Sequence, residues 1–300
     1  MIDAILAHLP PDGARPARDD FIAMRLLEPT PLAAADTAPL PTSYANAVAG
    51  ASRAGLGPLA PVRILGQVAL AEDGSFQAEV PAFSPYRMQA VASDGMAAGH
   101  PHNRWLHHEA GQRVPQGVSA RLGGPYQAVC ATCHGAADGN AAHALPIVAD
   151  LVSSASWTLS RFQGGDPRRP LAPVRLGDES RVSVAYRSDI GPLLATRCAS
   201  AGCHSDASAA GGLRLTLTPT QTFDIGYEAL LARGDGSGGG YRWVDAATGR
   251  ARRSYLIEKL LGQELDAPRM LPPAATPHGD LSAAERALLA TWIDLGATWR

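Results

Sequence analysis

Cys130-Ala131-Thr132-Cys133-His134 and Cys198-Ala199-Ser200-Ala201-Gly202-Cys203-His204 are the two stretches that decide how this chain folds. Together they contain all 4 cysteines of the sequence, and each ends in Cys-His. The first stretch is the C-x-x-C-H pattern of covalent haem attachment, in which two thiols bind the vinyl groups on one edge of the porphyrin. The imidazole that follows can bind the iron. A spacer of two residues is about one helical turn, which suits the two vinyl positions.

The second stretch has four residues between its cysteines, and these must bulge away from the ring. Ala-Ser-Ala-Gly is small enough to do so. A zinc site built from the four thiols would leave the two following histidines unexplained, and a redox disulfide of the thioredoxin kind needs a βαβ setting that the sequence lacks. We therefore predict two covalent haem c groups, held by Cys130, Cys133, His134, Cys198, Cys203 and His204.

Composition limits the classes of protein that fit. A chain of 300 residues is long enough for two modest domains, and 31 Gly with 24 Pro indicate many loops. The net charge of −2 gives no sign of the basic surface that nucleic-acid binding requires. No stretch approaches the ~20 apolar residues of a membrane helix.

The start of the chain has no basic region before its short apolar run and does not read as a signal peptide. Haem c is attached outside the cytoplasm. We therefore expect a periplasmic or otherwise extracytoplasmic protein whose export signal lies on an upstream segment.

Period-two alternation is strongest between Val62 and Ala92, with Asp73-Gly74 and Asp94-Gly95 as turns. This pattern predicts an antiparallel meander forming half of a small β-sandwich. An earlier strand is predicted at Phe21 to Leu27, ahead of a Pro/Ala-rich linker.

Two helices frame the second cysteine stretch. The first is capped by Ser188 or Asp189, has Pro192 in its first turn and runs into Cys198. The last begins with a capping box, Ser282 with Glu285, carries an apolar stripe and ends at Gly296; the stripe is Leu288, Leu289, Trp292 and Leu295. With Met270 between them, this is the order of elements in a class I cytochrome c domain.

The predicted fold class is therefore α+β and loop-rich. It comprises an N-terminal segment and linker (1–60), a β-domain with the first haem motif (61–143), a connector (144–183) and an all-α cytochrome c domain with the second haem (184–300).

Residues 62–142 resemble the haem-bearing middle domain of hydrazine synthase alpha subunit-like proteins. The resemblance rests on Val62 to Gly66, Asp73 to Phe76, Val80 to Ala82, Asp94 to Ala97, Trp105 and Cys130 to His134. It implies a subunit of a multihaem redox complex, often with a β-propeller upstream. In that family a tyrosine near the special haem serves the iron, whereas no Tyr lies between His134 and Tyr186 here.

Residues 186–300 resemble the cytochrome c domain of planctomycete-type multihaem proteins. The matching positions are Asp189 to Leu194, Cys198, Cys203-His204, Gly212-Leu213, Arg269-Met270 and Leu281 to Trp299. This resemblance implies a second haem c with His204 as its proximal ligand.

The distal ligands are open choices. For the second haem, Met270 and His278 compete, and Met270 is favoured by its place ahead of the closing helix. For the first haem, His107 and His108 are the leading candidates, and the alternatives are His100, His102, His143, Met96 or no distal ligand.

The function expected is electron transfer by a dihaem c-type cytochrome, either as a free carrier or as a subunit of a larger redox complex. The alternative is a haem enzyme, such as a peroxidase or a nitrogen-compound redox subunit, that uses an open first haem. A third reading is a haem-bearing module whose β-domain docks a partner protein.

Overall fold

The computed structural model describes residues 20–30, 62–70, 76–98, 105–112, 174–199, 203–221, 223–232, 242–246, 249–262, 265 and 281–299. Its strands are β1 (Phe21–Pro29), β2 (Val62–Ala69), β3 (Ala78–Glu79), β4 (Arg87–Ala92) and β5 (Val174–Arg175). Its α-helices are α1 (Gly191–Arg197), α2 (Ile225–Leu231), α3 (Tyr255–Leu261) and α4 (Ala283–Asp294). A π-helical turn, Tyr186–Ile190, leads into α1, and 3₁₀ turns occur at Asp178–Ser180, Ala210–Gly212 and Ala251–Arg253. None of the helices in these ranges is long and apolar enough to cross a membrane.

The principal sheet is antiparallel and has three strands in the order β2-β1-β4. The strand predicted at Phe21 to Leu27 is confirmed, and it is the central one. The predicted meander is wrong in its pairing, because β2 and β4 both pair with β1, while β3 pairs in parallel with β5. The reason is burial: seven of the nine β1 residues are buried, so the backbone N–H and C=O groups on both edges of this strand need hydrogen-bond partners within the protein.

A bulge in β2 lets the sheet present apolar side chains to two cores. Leu26 pairs with Gly66 and Leu27 with Ile64, which leaves Leu65 as the extra residue. Leu26 and Leu65 are buried in a smaller cluster under the β3–β5 pair, whereas Leu27 and Ile64 belong to a larger cluster built mainly from the helices. The sheet is therefore covered on both faces.

Glu28 ties the sheet to the chain that follows β5. Its carboxylate accepts hydrogen bonds from Arg63 Nε at 2.6 Å and from Arg181 Nε at 2.5 Å. Burial pushes the pKa of Glu28 upward, but the bonds from Arg181 and Arg63 outweigh burial, and the net pKa lies below its ordinary value. Because Ile64 and Val182 also form an antiparallel bridge, this stretch lies along the β2 edge.

The helical half is held by a group of aromatic rings. Tyr186 stacks on Trp299 with ring centroids 5.5 Å apart, and it also contacts Tyr227 and Trp292. Helical structure begins at Tyr186, ahead of the predicted caps Ser188 and Asp189. Asp189 still satisfies a backbone donor, because its Oδ2 accepts from the Ala185 N–H at 2.9 Å.

The closing helix matches its prediction. Ser282 Oγ accepts from the Glu285 N–H at 3.2 Å, and Glu285 Oε2 accepts from the Ser282 N–H at 2.7 Å, which completes the capping box. Leu289, Trp292 and Leu295 are buried. The fold is thus mixed and loop-rich, with a small antiparallel sheet and several helices; the β-sandwich, the cytochrome c domain and the domain boundaries stay predictions.

Candidate haem attachment site

The described residues at the two ends of the Cys198–His204 stretch are joined by a backbone hydrogen bond. Cys198 caps the C-terminus of α1, where its N–H donates to the Leu194 carbonyl at 2.8 Å. The His204 N–H donates to the Cys198 carbonyl at 3.1 Å. Cys198 is half-buried against the larger core cluster, and Cys203 is exposed. The loop therefore begins in the core and ends at the surface.

Both thiols of this loop are free. Burial raises the pKa of the Cys198 thiol, and the nearby Cys203 raises it further. Burial therefore favours the neutral thiol at Cys198. Two free thiols on one loop can each bind a vinyl group of a porphyrin.

The His204 ring is oriented by a backbone carbonyl. Its Nδ1 lies 3.0 Å from the carbonyl oxygen of Leu213, which can only accept a hydrogen bond, so Nδ1 is the nitrogen that carries the proton. The Nε2 atom is then the one with a lone pair. Histidines that bind metals usually donate their other ring N–H in this way, which fixes the tautomer and the direction of the ring.

A tight turn of the chain positions the Leu213 carbonyl against the His204 ring. Gly211 and Gly212 have φ angles of 62° and 75°, in the left-handed region that favours glycine. After this turn the Leu215 N–H donates to the His204 carbonyl at 2.8 Å. Leu213 and Leu215 are buried, so the segment after the turn (residues 213–218, the return segment) is anchored in the core beside the motif.

Asp206 joins the motif to the outer side of the same return segment. Its Oδ1 accepts from the Thr216 hydroxyl and its Oδ2 from the Thr218 hydroxyl, each at 2.8 Å. These bonds, from Thr218 and Thr216, hold the pKa of Asp206 below its ordinary value.

The residues present fit a covalently attached haem. Cys198, Cys203 and His204 lie within seven residues of one another in the chain, both thiols are free, and the His204 Nε2 carries the lone pair. Within the described ranges, no three His, Cys, Asp or Glu side chains form a cluster that could hold a metal ion by themselves. The donor set at this loop is one imidazole with two thiols.

The other predicted site residues divide into two groups. Cys130, Cys133, His134, Met270 and His278 lie outside the described residues, as do His100, His102 and His143. His107, His108 and Met96 lie inside them.

His107 is exposed, whereas His108 is half-buried and bonded to a tyrosine. The His108 Nε2 atom lies 2.7 Å from the Tyr86 hydroxyl, and the two rings meet edge to face at 5.5 Å. Burial raises the pKa of Tyr86, so its hydroxyl keeps its proton, and the two side chains share one hydrogen bond. Met96 is buried in the larger core cluster. The structure therefore gives His108 a partner other than a metal.

Sequence reasoning missed the supporting residues of the site. It did not assign a role to the Leu213 carbonyl or to Asp206, Thr216 and Thr218. The adjacent Gly211-Gly212 was the available signal, because a glycine pair this close to a cysteine motif predicts a tight return of the chain.

Comparison with family models gives one match. The model of the hydrazine synthase alpha subunit middle domain matches residues 23–113. This range begins in β1, earlier than the resemblance at 62–142, and it ends before the first cysteine motif at Cys130. It contains most of β1 and all of β2 to β4, together with His107 and His108.

Comparison with solved structures gives a match over almost the whole chain. A solved chain of Kuenenia stuttgartiensis hydrazine synthase superposes on 98% of this chain with a TM-score of 0.58 and 16% sequence identity. The match covers 42% of that longer chain, so this protein spans about two-fifths of its length. No curated protein matches the chain. The protein thus contains a region similar to the hydrazine synthase alpha subunit middle domain, and it shares its fold with part of a solved hydrazine synthase chain.

Proposed function

We propose that this protein is a dihaem c-type cytochrome that transfers electrons outside the cytoplasm, as a carrier or as a subunit of a larger redox complex. The observation that carries the proposal is the geometry of His204. Its Nδ1 is committed to the Leu213 carbonyl, which leaves Nε2 for iron, and two free thiols precede it on the same loop.

The roles of the residues at this loop follow from their chemistry. Cys198 and Cys203 would hold the porphyrin through thioether bonds, and His204 Nε2 would be the proximal ligand. Met270 or His278 would lie on the opposite face of the ring. The haem supplies one-electron redox chemistry, while the chain holds it, orients its ligand and limits its contact with water.

A first haem is proposed on Cys130, Cys133 and His134 from their sequence pattern alone. Partner subunits are proposed from the comparisons, because the matched family model describes one subunit of hydrazine synthase. The solved chain of similar fold is also more than twice as long as this one.

A haem enzyme acting on nitrogen compounds is the second candidate. It is supported by the family match over residues 23–113 and by the Tyr86 hydroxyl bound to His108 Nε2. Because Tyr86 engages Nε2, His108 would bind iron through that atom only if the Tyr86 bond breaks, and a first haem without His108 as its distal ligand would have an open face. The spin state separates the two functions: low-spin haems throughout indicate a carrier, and a high-spin five-coordinate haem indicates catalysis.

The proposal is tested by producing the protein in a host that exports it and attaches haem c. We expect the intact mass to exceed that of the chain by two haems. Cys198→Ala with Cys203→Ala should remove one haem and leave the other. A chain of unshifted mass that binds zinc through its cysteines would contradict the proposal.

A further inference from the structure

Asp206 sits two residues beyond His204 and bonds both hydroxyls that project from the outer side of the return segment. The two distances, to Thr216 and Thr218, are 2.8 Å each, so both carboxylate oxygens are used. Hydrogen bonds to an ionised carboxylate are roughly twice as strong as those between neutral groups. The carboxylate therefore bridges two alternate residues of an extended segment to the motif loop.

The return segment alternates between the core and the solvent. Leu213 and Leu215 point into the core, whereas Arg214 is exposed and Thr216 is half-buried on the outer side. Beyond the threonines, the Thr216 carbonyl accepts from the Gly226 N–H and the Thr218 carbonyl from the Ile225 N–H, each at 3.0 Å. The segment thus runs from the motif to the start of α2, with apolar anchors inside and Asp206 outside.

The Leu213 carbonyl oxygen is the backbone atom of this segment that hydrogen-bonds the His204 ring. Its distance from Nδ1 depends on where the segment lies against the motif. One backbone hydrogen bond, from the Leu215 N–H to the His204 carbonyl, holds the return segment against the motif next to the turn. The hydrogen bonds to Asp206 hold the return segment against the motif further along the chain, at Thr216 and Thr218.

We infer that Asp206 is a positioning residue for the proximal ligand: its carboxylate clamps Thr216 and Thr218 so that the Leu213 carbonyl stays on His204 Nδ1. The inference rests on the proposed function, because it assigns a role toward a haem held by this loop. A strong Nδ1–H···O bond makes the imidazole a more basic ligand, and a more basic ligand favours ferric iron. Loosening the clamp should therefore raise the midpoint potential of this haem.

The effect of the Asp206 charge and the effect of its two hydrogen bonds can be separated with three variants of the full, haem-loaded chain. Asp206→Ala removes both the charge and the bonds. Asp206→Asn removes the charge but keeps an acceptor oxygen and gains an amide N–H that can donate to the second hydroxyl. Thr216→Val with Thr218→Val removes the bonds and keeps the charge, with little change in side-chain volume.

Two quantities are measured for each variant: the midpoint potential of the haem that Cys198→Ala with Cys203→Ala removes, and the exchange rate of the His204 ring N–H in the reduced protein by NMR. We expect a higher potential and faster exchange in Asp206→Ala and in the double valine variant. In Asp206→Asn the exchange should stay as slow as in the unsubstituted chain.

The inference is overturned if the double valine variant keeps both the potential and the exchange rate of the unsubstituted chain. It is also overturned if Asp206→Asn and Asp206→Ala shift both quantities equally, because charge alone would then account for the effect. A chain whose Cys198–His204 peptide carries no haem in any variant would instead overturn the proposed function, and this inference with it.

Discussion

Asp294, at the end of α4, has a fully buried carboxylate that joins three parts of the chain. Its Oδ2 accepts from the Ala97 N–H in the turn after β4, and its Oδ1 accepts from the Ala251 N–H, each at 2.8 Å. Burial raises the pKa of this carboxyl to about 7, although the charge of Arg25 and the two backbone bonds act in the opposite direction.

This raised pKa predicts that the protein loses stability as the pH rises through neutrality. A group whose pKa is higher in the folded than in the unfolded chain stabilises the fold at low pH, and that stabilisation is lost as pH passes its folded pKa. From this group alone, the free energy of unfolding should fall by roughly 3 kcal/mol between pH 5 and pH 8. Urea unfolding at the two pH values measures the difference.

Asp294→Asn should flatten this pH dependence. It should also lower stability by about 1–3 kcal/mol, because the amide NH₂ cannot accept the bond that one carboxylate oxygen takes from Ala97 or Ala251. Glu79→Gln, at an exposed position in β3, is the matched control and should keep the slope of the unsubstituted chain. An unchanged slope in Asp294→Asn would show that another group titrates.

Site residues could be predicted from the sequence where the side chain itself supplies the chemistry, as cysteine and histidine do. Cys198, Cys203 and His204 were identified from their spacing as haem-binding residues, which stays a prediction; the structure leaves both thiols free and places His204 Nδ1 on the Leu213 carbonyl. The Leu213 carbonyl was not identified, because every residue has a carbonyl and only the fold selects the one that meets a given ring. His108 was a candidate ligand by its position, but nothing in the sequence paired it with Tyr86.

At the scale of elements, the start of α4 offers a direct test. Ser282→Ala removes the side-chain acceptor for the Glu285 N–H and should lower the free energy of unfolding by about 1 kcal/mol. Ser282→Thr keeps an acceptor oxygen and should behave nearly as the unsubstituted chain. Chemical unfolding followed by circular dichroism measures both variants, and an equal loss in the two would rule out the cap as the cause.

The same cap has a second link to the site. Arg197 Nη2 lies 3.0 Å from Glu285 Oε1, so the last turn of α1, which carries Cys198 at its end, is joined to the first turn of α4. This pair is exposed, so solvent screens it and it contributes little to stability.

Local signals predicted the helices well and the sheet less well. The capping box, the Asp94-Gly95 turn and the strand at Phe21 are each encoded within a few neighbouring residues. The pairing of β1 with β2 and β4 joins residues 33 to 71 positions apart. Alternation tells which face of a strand is buried, but it does not tell which strand lies beside it.

At the scale of the whole molecule, one core crosses from the sheet to the helices. Leu27, Val62 and Ile64 belong to the same buried cluster as Tyr186, Leu289 and other helical residues. Arg25 adds polar links, since it donates to Gln89, whose side chain donates to the Asp294 carbonyl at 3.3 Å. This shared core could not be predicted from the sequence, because an apolar position indicates burial but not the surface against which the side chain packs.

Leu27→Ala should therefore weaken the helical half as well as the sheet. Leu27 is completely buried, and losing its side chain should cost about 2–5 kcal/mol. Hydrogen exchange followed by mass spectrometry should become faster in peptides from β1 and in those from α1 and α4. Ile22→Ala in the same strand is the control, because Ile22 is 50% exposed and its loss should have little effect. Faster exchange confined to the strands would mean that the two halves fold independently.

The most direct test of the central claim is mass spectrometry of the Cys198–His204 peptide from protein matured in an exporting host, with the absorption spectrum of the reduced protein alongside. We predict that this peptide carries one haem through two thioether bonds, that a second haem is found on Cys130 and Cys133, and that the reduced protein has the spectrum of haem c. An unmodified peptide with Cys198 and Cys203 joined as a disulfide, from a protein without haem absorption, would contradict the account.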